Sequence, residues 1–117
     1  MITGAHTVIY SPQPDAARAF FRDVLGFDSV DAGGGWLIFQ LPPGELGVHP
    51  SDAGTHHALY LLCDDVAKTV DELTAKGAEF DDDGAVTEAR FGRLVTMRIP
   101  GGGSVGVYEP RHPTAHA

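Results

Sequence analysis

Short runs of apolar, β-branched and aromatic residues recur along the chain, separated by proline or glycine clusters that interrupt strand pairing. Such runs are typical of strands of four to eight residues. In the first half they cover residues 5–10, 27–31, 36–41 and 45–49. In the second half they cover residues 57–62, 78–80, 94–99 and 104–109. The pattern therefore predicts eight strands.

Two other stretches follow the helical period instead. The first helix is predicted over about residues 14–25 and ends at Gly26. The second begins after the capping pair Asp64 and Asp65 and ends at Gly77. One side of each helix is apolar: Ala16, Ala19, Phe20 and Val24 in the first, Val66, Val70 and Leu73 in the second. Each half of the chain is thus predicted to be a strand, a helix and three strands.

The two halves share one register. His6 precedes Gly26 by 20 residues, and His57 precedes Gly77 by the same distance. Successive strand side chains point to opposite faces, so if His57 faces inward, His56 faces away. The chain is therefore predicted to be one α+β domain over residues 1–117. Module one covers about 3–50, module two about 55–110, and a flexible tail 111–117.

Charge narrows the classes of partner. Eight basic and 16 acidic residues give a formal net charge of −8, which repels phosphate backbones and anionic membranes. No apolar run approaches the roughly 20 residues that span a bilayer. The single cysteine, Cys63, cannot form an internal disulfide, and the first residues lack the basic and apolar segments of a secretory signal. We expect a cytoplasmic protein that binds neither nucleic acid nor membrane.

Several stretches resemble one known superfamily over about residues 3–110. They are the octapeptide Phe-Phe-Arg-Asp-Val-Leu-Gly-Phe at 20–27, the second helix from Asp65 to Gly77, Phe-Gly-Arg at 91–93 and Pro-Gly-Gly-Gly at 100–103. With the duplicated plan, they resemble the vicinal oxygen chelate superfamily of glyoxalases, extradiol dioxygenases and bleomycin-resistance proteins. The resemblance implies tandem βαβββ modules curved into an open barrel around a divalent metal ion. It also implies a small-molecule substrate or ligand and a homodimer.

The resemblance places metal ligands on the first and last strands of each module. His6 and His57 match the two histidine positions, and His49, with Glu45 as a substitute on the same face, matches the third. The metal implied is zinc, nickel, iron or manganese. An alternative is that either matching histidine only caps a strand and hydrogen-bonds a carbonyl.

The last strand departs from the family pattern, because Gly106 stands where metal-binding members usually carry a carboxylate. Glu109, the remaining candidate ligand and catalytic base, would face the opposite side unless the strand bulges. Tyr108 keeps the inward parity of Gly106 and is a second catalytic candidate. Loss of the carboxylate argues against glyoxalase I activity, since that mechanism uses it as the base.

Two functions remain open. The first is a metal-dependent glyoxalase-like or dioxygenase-like enzyme acting on vicinal oxygens. The alternative is a metal-free binding protein of the bleomycin-resistance type that sequesters an aromatic or cationic compound. Trp36, Phe39, Tyr60 and Arg93 are the candidate pocket residues, although aromatic strand residues are more often core and a loop arginine is often a solvated charge.

Overall fold

The described residues form two α-helices and two separate β-sheets. The computed structural model describes Met1 and residues 4–115. Helix α1 covers Pro14–Ala19 and continues as a π-helical turn over Phe20–Val24, and α2 covers Val66–Ala75. The strands are β1 (Ser29–Asp31), β2 (Leu37–Phe39), β3 (Tyr60–Leu62), β4 (Thr87–Ala89), β5 (Gly92–Arg98) and β6 (Ser104–Pro110). A short 3-10 turn covers Asp81–Gly84.

Module two forms the larger sheet, with strand order β3-β6-β5-β4. β3 lies parallel to β6, whereas β5 pairs antiparallel with both β6 and β4. The register sets Tyr60 beside Gly106 and Leu94 beside Tyr108. These four side-chain positions therefore share one face of the sheet, and Val107 lies on the other.

The core lies between that second face and the two helices. Its buried residues are Ala17, Phe20, Phe21, Val66, Val70, Ala78, Phe80, Val95, Met97, Ile99, Val105 and Val107. Met97 and Val66 are completely buried, and each such side chain contributes roughly 1.5–3 kcal/mol to folding. Because α1 contributes residues to the same core, module one packs on the sheet of module two.

The two predicted helices end in the same way. Asp65 caps α2 by accepting a hydrogen bond from the Lys68 backbone N–H at 3.0 Å. Gly26 and Gly77 follow the two helices with φ of 72° and 99°. This left-handed conformation favours glycine, so both modules end their helix by the same local device.

The predicted first and fourth strands are wrong for this structure. Residues 4–10 and 45–49 form no strand, and their apolar side chains are largely exposed, with Tyr10 at 93% and Leu46 at 89%. In module two the first and last strands pair with each other. The corresponding pairing in module one needs residues 5–10 and 45–49 to meet, and proline at 42, 43 and 50 shortens the second segment.

The prediction for the sixth strand is also wrong. Residues 78–80 contribute only one bridge, between Phe80 and Met97, and the strand that pairs with β5 is β4 instead. β4 has a polar sequence, Thr-Glu-Ala, and lies at the edge of the sheet with two of its three residues exposed. An edge strand needs no apolar alternation, which is why the hydrophobic pattern missed it.

The remaining predicted strands are confirmed with changed bounds: β1, β2 and β3 are shorter than predicted, and β5 and β6 are each one residue longer. Within the part of the chain that the structure describes, no helix has both the length and the apolar character needed to cross a membrane.

Candidate functional site

Aromatic rings cover the face of the larger sheet that is turned away from α2. Tyr60 contacts Tyr108 edge to face, with ring centroids 5.8 Å apart, and Phe91 contacts Tyr108 in the same manner at 5.2 Å. Tyr60 is 49% exposed, so this surface is accessible. We call these three residues, together with Gly106 between β3 and β5, the aromatic face.

The chain after β6 covers one end of the aromatic face. The Tyr108 hydroxyl lies 2.9 Å from Nε2 of His112, whose Nδ1 lies 2.8 Å from the Pro113 carbonyl oxygen. A carbonyl only accepts, so Nδ1 carries the proton and Nε2 accepts from the tyrosine hydroxyl when the ring is neutral. Burial raises the pKa of Tyr108, and the negative charge of Glu45 adds to the rise. The phenol therefore keeps its proton at neutral pH.

Glu45 brings a carboxylate to this surface. Its Oε2 accepts a hydrogen bond from the Ala115 backbone N–H at 2.7 Å, which ties residue 45 to the tail. Its charge is close enough to act on Tyr108. Electron-rich ring faces beside a carboxylate form a surface of negative potential, which suits a cationic aromatic molecule.

The structure does not bring the predicted metal ligands together. His6, His49 and His57 are all exposed, and the segments that would carry them as strand residues are unpaired. β3 begins only at Tyr60, three residues after His57. Among Met1 and residues 4–115, no three histidine, cysteine or acidic side chains are grouped so as to hold a metal ion.

Glu109, the fourth predicted ligand, faces the helices. Its Oε1 accepts a hydrogen bond from the Val66 backbone N–H at 3.1 Å, at the first turn of α2. Arg93 Nη1 lies 3.8 Å from the same oxygen, and Arg93 Nε donates to Glu88 at 3.0 Å. No bulge turns Glu109 toward the aromatic face, so β6 follows simple alternation. Both Glu109 and Arg93 have structural partners on the helix side of the sheet.

A family model described as Glyoxalase/Bleomycin resistance protein/Dioxygenase superfamily matches residues 4–96. The chain belongs to this superfamily. No curated protein matches closely enough to add a relative of known activity.

Solved structures show the same fold. TnmS3, an antibiotic binding protein from Streptomyces sp. CB03234, is 22% identical, with a TM-score of 0.59 over 94% of this chain and 99% of that one. Lactoylglutathione lyase from Agrobacterium tumefaciens is 23% identical, with a TM-score of 0.59 over 92% of each chain. A superfamily member from Sphaerobacter thermophilus DSM 20745 is 23% identical, with a TM-score of 0.60 over 92% of this chain and 98% of that one. At such identities the likeness establishes the fold alone.

Two predicted pocket residues of this superfamily member contact module one instead of the aromatic face. Phe39 packs against Phe21 of the core, with ring centroids 5.9 Å apart. Trp36 lies beneath the Arg18 guanidinium, 4.8 Å from its carbon to the ring centroid. Of the predicted pocket residues, the structure thus places Tyr60 on the aromatic face.

A cleft of about 670 Å³ lies elsewhere, at the turn between β5 and β6. Its charged lining residues are Glu79, Asp81 and Arg98, and Arg98 Nε already donates to Asp81 at 2.8 Å. The remaining lining is mainly the backbone of the turn at 100–103. Because Arg98 is already paired with Asp81, this cleft offers a ligand fewer unpaired groups than the aromatic face does.

Sequence reasoning missed two residues of the aromatic face and its cover. In the sequence, Phe91 belongs to the Phe-Gly-Arg stretch at 91–93 and His112 to the predicted tail. Both reach Tyr108 at the end of the β5–β6 pair where the chain enters β5 and leaves β6, and there the Arg111 N–H donates to the Phe91 carbonyl oxygen at 2.8 Å. No local sequence signal announces such a contact.

We predict that Glu109→Ala lowers the free energy of unfolding by about 1–2 kcal/mol, because a half-buried, charge-assisted hydrogen bond at the start of α2 is lost. Glu109→Gln keeps an acceptor oxygen for Val66, so it should lose less than half as much. Urea denaturation of both variants measures this. Equal losses in the two variants, or no loss in either, would contradict the structural role.

Proposed function

We propose that this superfamily member binds a small, planar aromatic ligand, preferably cationic, on its aromatic face and without a metal ion. The observation that carries the proposal is the contiguous row of Tyr60, Tyr108 and Phe91 on an open sheet face, with the Glu45 carboxylate beside it. Aromatic contacts contribute roughly 0.5–1.5 kcal/mol each beyond area burial, and a cation over a ring adds about 0.5–2 kcal/mol.

Charge supports a cationic ligand in two ways. The chain's formal net charge of −8 attracts cations at a distance and repels anions. Near the rings, Glu45 supplies a negative charge. Arg111 is paired with Glu88, and so is Arg93 on the helix side of the sheet. TnmS3, which has the same fold, is titled an antibiotic binding protein. A ligand-sequestering role is therefore compatible with this scaffold.

A second candidate, a metal-dependent enzyme acting on vicinal oxygens, is favoured by one observation. Gly26 and Gly77 occupy equivalent left-handed positions after the two helices, which supports the equivalence of His6 and His57 at the fixed offset before them. A neighbour in fold is titled lactoylglutathione lyase. Chelation would require residues 5–10 and 45–49 to pair as strands, and His6, His57 and His49 would then be the ligands.

We also propose that two copies of the chain associate. The unpaired segments expose Val8, Tyr10, Leu46 and Val48, the last at 87%. Apolar side chains concentrated on two unpaired segments favour association, because pairing with another strand would bury them and satisfy their backbone groups. A second copy with C2 symmetry would supply a self-complementary surface.

We expect the protein to function in a reducing compartment such as the cytoplasm. Cys63 is the only cysteine, and burial raises the pKa of its thiol. Its backbone N–H donates to the Tyr108 carbonyl at 2.9 Å, which fixes β3 against β6 beside the aromatic face. A structural thiol of this kind is best preserved where disulfide exchange is disfavoured.

Proflavine, a planar aromatic cation, should bind to the protein in the presence of EDTA. Tyr60→Ala should weaken binding about 2- to 10-fold, since one aromatic contact is lost. Trp36→Ala is the matched control and should leave the affinity unchanged, because Trp36 contacts Arg18. Fluorescence titration measures all three proteins. Failure of the wild type to bind, or a greater loss in the Trp36 variant, would count against the proposed site.

Metal analysis separates the two candidate functions. For a metal-free binding protein, samples purified without chelators should contain negligible zinc, nickel, iron and manganese. The same should hold for a His6→Ala/His57→Ala variant. About one metal ion per wild-type chain, lost in the double variant, would instead establish the metal-dependent candidate.

The mass of the protein in solution tests association. Light scattering should give about twice the 12.4 kDa of one chain. Leu46→Ser/Val48→Ser should shift the equilibrium toward monomers, because it removes apolar area from an unpaired segment. Val30→Ser, an exposed valine on β1, is the control and should retain the dimer. A monomeric wild-type protein would rule out the proposed association.

A further inference from the structure

The Cδ1–Cε1 edge of the Tyr60 ring lies over Gly106. The two residues are register partners in the parallel pair formed by β3 and β6. A Cβ atom at position 106 would collide with Cδ1 of Tyr60 and lie 2.5 Å from Cε1. It would also lie 3.4 Å from Cδ1 of Leu94 on the other neighbouring strand. The ring thus occupies the space that any side chain at position 106 would fill.

The backbone does not explain the glycine. Gly106 lies within β6 and is not among the glycines with positive φ, so its conformation is open to other residues. Glycine in a strand interior costs conformational entropy and leaves a gap in packing. Here the gap is filled by an aromatic ring from the adjacent strand. Glycine is therefore needed at position 106 because it has no side chain, and not because of its backbone freedom.

The position of the ring affects the rest of the aromatic face. Tyr60 meets Tyr108 edge to face at 5.8 Å, and Tyr108 in turn meets Phe91. A side chain at 106 would displace the Tyr60 ring outward, because the half-exposed ring can move whereas the paired strands cannot. The row of rings would then be broken between β3 and β6.

We propose that Gly106 is a specificity-determining residue, which favours aromatic ligands by leaving the space in which the Tyr60 ring lies over β6 in edge-to-face contact with Tyr108. This inference rests on the proposed function of the aromatic face and deepens it. It assigns the choice of ligand shape to a residue that bears no functional group. A larger residue at position 106 would push the Tyr60 ring away from β6 and so break its edge-to-face contact with Tyr108.

The test compares Gly106→Ala with Gly4→Ala in proflavine titrations. Gly4 has ordinary φ and open space around its Cβ position, so its replacement controls for the change of residue type. Gly106→Ala should weaken binding about 3- to 10-fold, and Gly4→Ala should not change it. In a Tyr60→Ala background, Gly106→Ala should have no further effect. Wild-type affinity in Gly106→Ala, or losses that multiply in the double variant, would overturn the proposal.

A ligand-free measurement keeps this inference separate from the proposed function. The NMR resonances of the Tyr60 ring should shift in Gly106→Ala and stay in place in Gly4→Ala, since Tyr108 imposes a ring-current field at short range. If the wild type binds no proflavine, the proposed function fails. Unchanged Tyr60 resonances in Gly106→Ala would overturn the proposed effect of Gly106 on the position of the ring. If Gly106→Ala folds poorly, Tyr60→Ala/Gly106→Ala should fold normally because the collision is gone. Poor folding of the double variant as well would overturn the steric role.

Discussion

Burial of one face of the β3-β6-β5-β4 sheet against both helices is the constraint on which the candidate site depends. Val95, Met97, Val105 and Val107 point into that core. Strict alternation then sends the intervening side chains of β5 and β6 to the opposite face. Parity along the strand, fixed by the hydrophobic core, therefore decides which residues are available to a ligand and which are not.

This constraint places neighbouring residues of β6 on opposite faces of the sheet. Glu109 shares the parity of Val107, so its carboxylate meets the first turn of α2 and stabilises the helix. Gly106 and Tyr108 have the other parity and share the open face with Tyr60. On β6, the Glu109 carboxylate therefore stabilises the fold, whereas the Tyr108 ring lies on the open face. The resulting surface favours stacking and cation–π contacts over coordination through oxygen.

The sequence predicted what depends on local chemistry or on regular alternation. This group contains the α+β class, the two helices with their glycine ends, and strands β5 and β6. It also contains the position of Tyr108 on the same face of β6 as Gly106. The sequence could not show that residues 5–10 and 45–49 stay unpaired, because a strand forms only where a partner satisfies its backbone groups. The position of His6 depends on that pairing. Phe91 and His112 were missed because their contacts with Tyr108 depend on how the chain enters β5 and leaves β6.

The two modules therefore differ in a way that their shared pattern conceals. Each ends its helix with a left-handed glycine, since that device is local and needs no partner. Only module two completes its four-stranded sheet within the described chain. A ligand face requires a sheet that is rigid on the side it presents, and a closed core beneath β5 and β6 provides that rigidity. The shared sequence pattern thus gives both halves a helix with the same ending, whereas the candidate site lies on the half whose sheet is complete.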